Sequence, residues 1–207
     1  MVYKMRADKP GSMNKENMQL LTNICLAPYI QIGSALIGKS RKAGGNMFRH
    51  QMDTLSILID YGYIDSVLLK ASVVHDCVED LPDFDLNLIK NCDEDGEKVL
   101  NLVLEVTKQD GETKADFLKR ILKYGSQEAK ILKTADRISN MMELGFVTDA
   151  KFIEKTCNDT ECLILPIAIL VDYQMYQELI QLLQSRMKYL EEIGYFSGKS
   201  NELGKSS

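Results

Sequence analysis

Apolar residues recur along the chain at helical spacing, and runs that alternate as a half-buried strand would are nearly absent. The pattern predicts an all-α fold in a single domain. Asn14 is placed to cap a helix through Leu20, Leu21 and Ile24, which Pro28 should interrupt or kink. A second apolar stretch from Ile30 to Ile37 runs into a loop, Gly-Lys-Ser-Arg-Lys-Ala-Gly-Gly, at 38–45. Helical spacing resumes from Asn46 to Tyr61 and puts His50, Thr54 and Ile57 on one face, with Gly62 suited to stop it. Asp65 is a cap for the next helix, whose stripe Leu68, Ala71, His75, Val78 runs on towards Pro82. Asp85 opens a short helix through Ile89, and 99–106 and 115–122 are two amphipathic helices. Ile131, Ala135, Ile138 and Met142 form a further core stripe, which leaves Asp136 and Asn140 together on a neighbouring face. Asp149 caps a helical region that reaches Ile193 and is interrupted near Pro166.

The two ends lack this periodicity. Residues 1–13 are expected to be a flexible leader and 198–207 a polar, glycine-rich flexible tail, with the helical domain spanning 14–197. A chain of 207 residues with 45% hydrophobic content is ample for one core. No apolar run approaches a membrane span, and no signal-peptide pattern opens the chain. A net charge of −5 argues against a general nucleic-acid or membrane-surface binder, so any phosphate recognition must come from a local basic patch. The five cysteines are odd in number and lack zinc-ligand spacing, which fits reduced thiols in a cytoplasmic protein.

Two stretches match binding motifs in letters only. Residues 33–40 satisfy G-x-x-x-x-G-K-[ST], yet a phosphate-binding P-loop needs a preceding strand, and these glycines lie in or after a helical pattern. Lys39, Arg41 and Lys42 are left as a cationic loop near His50 or as a solvated turn. The acidic run 93–97 lacks the ligand order of a calcium loop and is expected to be a solvated turn.

The informative stretch is 71–80, Ala-Ser-Val-Val-His-Asp-Cys-Val-Glu-Asp. His75 stands where an apolar residue is expected, and Asp76 lies at the edge of the same stripe. A carboxylate drawn inside costs several kcal/mol unless something positive meets it. A metal ion would answer for both residues; a satisfied core histidine with a solvated acidic helix end is the alternative. The chain's other histidine, His50, and Asp136 stand on separate helices. Two imidazoles and two carboxylates without thiolate suit manganese, iron or magnesium. For Asp136 the competing explanation is a surface ion pair with Lys133, of little energetic weight.

This arrangement resembles the HD metal-dependent phosphohydrolases, and its flanks are similar to the alarmone-hydrolase domain of the RelA/SpoT homologue family. The similar segments are 41–50 leading into His50, HDCVED at 75–80, Val106-Thr107-Lys108, TADRISNM at 134–141 and DTECLILPIA at 159–168, in family order. Departures are Gln51 after the first histidine, where the family usually has proline, Asn46-Met47-Phe48 ahead of it, the added charge of Arg49, and a short 107–131 segment. The resemblance implies a divalent ion, manganese before others, held by His50, His75, Asp76 and Asp136. It implies a catalytic role for Glu79 and Asp80 in orienting water or moving a proton. At a helix C-terminus these acids would oppose the dipole, which also favours function. Arg41, Lys42 and Asn140 match positions beside the substrate. The implied reaction is hydrolysis of guanosine 3′,5′-bis(diphosphate), ppGpp or pppGpp, to GDP or GTP and pyrophosphate, by a small stand-alone hydrolase. An HD nucleotidase or phosphodiesterase acting on another nucleotide, and a metal-bearing nucleotide sensor without turnover, remain alternatives.

Overall fold

In the computed structural model, which describes residues 13–195, the apolar stripes become twelve α-helices and no sheet among the described residues. Asn14 accepts a hydrogen bond from the Asn17 amide at 2.7 Å and opens α1 (Lys15–Asn23). Residues 24–26 separate it from α2 (Ala27–Gly33), where Pro28 is tolerated in the first turn because its missing N–H has no helical partner to lose. A 3-10 turn, Ser34–Gly38, leads to the glycine-rich loop. That loop is closed by a single bridge between Ser40 and Asn46 and turns through Gly44 and Gly45 at φ of 93° and 70°, where glycine alone is unstrained. Among the described residues no strand precedes it. Gly33 serves packing instead: a Cβ there would stand 2.6 Å from the Val73 carbonyl oxygen, so α2 can approach its neighbour only without a side chain.

That neighbour is α4 (Ser66–Val74), capped by Asp65. It is buried from Leu68 to Val74 and packs against α2, α3 (Met47–Asp60), α7 (Gly96–Val106) and α9 (Gln127–Glu143). The short α5 (Cys77–Asp80) and α6 (Asn87–Lys90) connect α4 to α7. α8 (Lys114–Tyr124) lies against α9, α11 (Leu165–Val171) and α12 (Tyr173–Glu192) pack on it as well, and α10 (Ala150–Asp159) packs on α12. A π-turn at Thr160–Ile164 carries the chain from α10 to Pro166 in the first turn of α11, the interruption expected there. The expected leader, apart from Met13, and the expected tail lie outside the described residues. No single described helix is long and apolar enough to cross a membrane.

Three expectations are corrected. The helix entering from Asp65 does not run through to Pro82: it stops at Val74, and His75 and Asp76 form the joint before α5. On α9, Met142 is 52% exposed and Met141 is buried in its place, because several helices pack on α9 and widen its buried face past one stripe. The acidic run 93–97 is also more than a solvated turn. Lys70, only 4% exposed on the central helix, reaches Asp93 at 2.8 Å and Asp95 at 2.7 Å. Tyr29 donates to Asp93 and Ser66 to Asp95, both at 2.7 Å. A buried ammonium requires such partners.

The Lys70 ammonium and the Ser66 hydroxyl hold the Asp95 carboxyl below its ordinary value. At Asp93 burial pushes upward, but Lys70 and Tyr29 outweigh it and the net shift is again downward. Burial likewise opposes Lys70, whose pKa the two carboxylates nevertheless raise. The carboxylates' contribution to stability is therefore complete above their unfolded pKa of about 3.9 and is lost as pH falls through the lowered folded values. The lysine's is complete below about 10.4 and is lost as pH rises through the raised folded value. Lys70→Met should lower unfolding free energy at neutral pH by about 3–5 kcal/mol, because it strands two carboxylates. It should also flatten the parent's loss of stability below about pH 4; denaturant titrations at a series of pH values measure both.

Candidate metal centre and cleft

His75 and Asp76 owe their position to the end of α4. The His75 ring turns back and donates from Nδ1 to the Ser72 carbonyl at 2.8 Å, which fixes the tautomer and leaves Nε2 as a bare lone pair. The residue is 2% exposed, and Nε2 has no hydrogen-bond partner. It faces Asp76 Oδ2 at 3.4 Å, so two acceptors meet in a buried place where only a cation or a proton relieves them. His50 arrives from α3 with its Nε2 3.6 Å from the same oxygen, and its Nδ1 lies 2.8 Å from Ser139 Oγ on α9. One ligand atom each of His50, His75 and Asp76 lie within 4.8 Å of one another. Nitrogen and carboxylate donors, a fixed tautomer and an orphaned lone pair fit a divalent metal ion.

Asp136 reaches the same centre from α9, with Oδ1 3.0 Å from His50 Nε2. Its ion pair with Lys133 exists, at 2.7 Å, but inside the protein, with side chains 8% and 11% exposed. Burial would raise the Asp136 carboxyl; Lys133 and the hydrogen bond with His50 reverse this and hold it well below the usual carboxylate range. Burial similarly opposes the Lys133 ammonium, which Asp136 and Asp76 hold above its ordinary value. Asn140, one turn along α9, donates to Asp136 Oδ1 at 2.6 Å and accepts from Arg41 Nη2 at 2.6 Å. Arg41 also pairs with Glu143. A continuous polar chain thus joins the glycine-rich loop to the histidines.

Glu79 and Asp80 end a helix of only four residues, which is too short to carry much of a dipole, so the expected conflict at a helix C-terminus is small. Asp80 is held by Lys39 at 2.5 Å, with a second bond from the same ammonium to its carbonyl at 2.7 Å. Glu79 reaches solvent at the cleft mouth, yet the surrounding protein raises its carboxyl. Desolvation is the main cause, and Asp76 adds to it against the pull of Lys133. The cleft has a volume of about 470 Å³. Its metal end is lined by His50, Asp76 and Asp136, with Glu79 and Asp80 beside them. Cations surround the rest: Arg41, Lys42, Lys108, Lys114, Lys133 and Arg137. Lys42 Nζ lies 4.8 Å from the centroid of Phe152, an aromatic surface within the cleft.

All nine residues singled out in the sequence converge on this region. Several others were missed. Lys114, Lys133, Arg137 and Phe152 stand on α8, α9 and α10, and only their packing brings them to one wall. Gln51, the residue that departs from the resembled pattern, is fully buried and donates to Asp76 Oδ2 at 2.8 Å. Its place directly after His50 was the available signal.

No protein-family model matches the chain, and no curated protein matches it either. Solved structures do match it. One of them is described as a metazoan ortholog of SpoT that hydrolyzes ppGpp and plays a role in starvation responses. It matches with a TM-score of 0.60 over 84% of this chain and 97% of that one, at 19% sequence identity. The likeness establishes the fold.

Gln51→Leu tests how far Asp76 depends on its buried anchor. Loss of an outer hydrogen bond to a ligating group typically weakens metal affinity about 10–100-fold. The same loss is expected for manganese binding measured by equilibrium dialysis, with the helical circular dichroism signal unchanged.

Proposed function

We propose that the chain is a divalent-metal-dependent phosphohydrolase that acts on ppGpp and pppGpp, releasing pyrophosphate from the 3′ position to leave GDP or GTP. The observation that carries this is the bare His75 Nε2 facing Asp76 beside His50, at one end of a cleft that also holds six cationic side chains. The HD-domain fold and the five motif segments support it. In this proposal His50, His75, Asp76 and Asp136 hold the ion, with manganese suited to two imidazoles and two carboxylates. Such an ion supplies activation of water near neutral pH and neutralises charge at phosphorus.

The remaining steps belong to the protein's own groups. Glu79, with its raised carboxyl, takes the proton of the attacking water. Asp80, fixed by Lys39, orients that water from the same turn. The water oxygen bonds to the inner phosphorus, the bond from that phosphorus to the ribose 3′-oxygen breaks, and the proton passes to the 3′-oxygen. Arg41 and Lys42 hold the nucleotide, and Asn140 hydrogen-bonds beside the ribose.

His75→Ala and Asp136→Ala should each abolish metal occupancy measured by elemental analysis and lower Tm, since the ion binds only the folded protein. Full occupancy in both variants would sink the site as drawn.

Glu79→Gln and Asp80→Asn should retain metal and nucleotide binding while turnover falls by roughly 10²–10⁴-fold. The parent's rate should decline as pH drops through the Glu79 pKa, above the ordinary glutamate range, and Glu79→Gln should lose that limb. The deciding assay supplies manganese and a nucleotide panel and separates pyrophosphate from orthophosphate release. Orthophosphate from nucleoside monophosphates would assign a different substrate, and binding without product would make the protein a sensor.

A further inference from the structure

Arg137 is a buried cleft cation that the proposed mechanism leaves unused. It is 6% exposed, its Nε has no hydrogen-bond partner, and its Nη1 has a single long contact of 3.4 Å to Thr160 Oγ1. That threonine's own proton goes to the Thr156 carbonyl at 2.7 Å. Among the described residues Arg137 makes no ion pair, and Asp136 beside it is already bound by Lys133 and His50. A guanidinium carries five donors, and burying it without a carboxylate is strongly unfavourable unless an anion arrives.

The surroundings reinforce the need. Lys114 lines the same part of the cleft and lies near enough to Arg137 for the two charges to repel. Lys114 pairs with Asp159 at 2.8 Å, but Lys155 shares that carboxylate at 2.9 Å. Two cations therefore share one carboxylate, and Arg137 is left without one. Consecutive residues of a helix point into different sectors, so Arg137 serves a part of the cleft other than the one Asp136 serves.

We propose that Arg137 and Lys114, between α8, α9 and α10, form a second anion subsite that takes the 5′-phosphates of the substrate, the group that is not hydrolysed. The subsite rests on the cleft being the nucleotide site. The guanidinium fork matches two phosphate oxygens, and a cleft of about 470 Å³ is of the size that holds a small ligand. A nucleotide phosphorylated at both 3′ and 5′ positions then spans it, with one phosphate group at the metal residues and the other at Arg137.

The test uses the full chain stripped of metal by chelation, with isothermal titration of GDP, guanosine and inorganic pyrophosphate. Arg137→Met should weaken GDP by about tenfold or more, the share of one charge-assisted contact, and leave guanosine unchanged. Arg137→Lys should restore part of the loss. Without ligand, Arg137→Met should unfold at a denaturant concentration no lower than the parent, because an unmet buried charge has been removed. Lys114→Met, at an exposed position, repeats the GDP measurement should Arg137→Met fail to fold. An unchanged preference for GDP over guanosine in the folded variants overturns the subsite. Weakened pyrophosphate binding with GDP unaffected overturns its assignment to the substrate's own phosphates. Absence of ppGpp turnover in the parent would sink the proposed activity while leaving this binding result interpretable.

Discussion

The hydrogen bond from His75 Nδ1 to the Ser72 carbonyl organises the candidate centre. Helix α4 is buried along most of its length, so its last turn has no water to satisfy the backbone or the imidazole. The ring meets a carbonyl of that turn, the helix ends, and Asp76 starts α5 with its carboxylate beside the exposed ring nitrogen. Helices α3 and α9 then supply His50 and Asp136 from either side of that joint. The same bond that completes the helix end thus selects the tautomer a metal ligand requires.

Much of the framework was legible because it rests on local chemistry. Asn14, Asn46, Asp65 and Asp149 cap their helices by accepting from an amide three residues on, a short-range event that needs no tertiary information. Gly62, at φ 70°, stops α3 for an equally local reason. His50, His75, Asp76 and Asp136 stood out because each places an ionisable group on a helix pattern that expects burial. The joint at residues 75 and 76 was illegible, since Ala-Ser-Val-Val-His-Asp-Cys-Val has no breaker and the helix yields only to a side-chain bond. Lys70 and its acidic partners were illegible too. They are 23 and 25 residues apart in sequence, and nothing in either stretch names the other. Likewise Lys133 and Arg137 read as ordinary helix cations until α8 and α10 are laid over them.

Around the candidate centre, charge is arranged in sequence rather than cancelled pair by pair. Glu143 meets Arg41, Arg41 meets Asn140, Asn140 meets Asp136, and Asp136 meets both Lys133 and His50. In a low-dielectric interior such a chain is stiff, because moving one member leaves its neighbours unsatisfied. The α3–α9 contact, which carries His50 and Asp136, is held by this polar seam as well as by apolar packing.

Glu143 gives the seam a further consequence. Its carboxylate already occupies the guanidinium assigned to the nucleotide, and it is tethered there at a high effective concentration. A ligand that drew on Arg41 would first have to displace this resident carboxylate. Glu143 is thus an internal competitor that never diffuses away, and any anion that used Arg41 would bind by exchange with it rather than by simple addition.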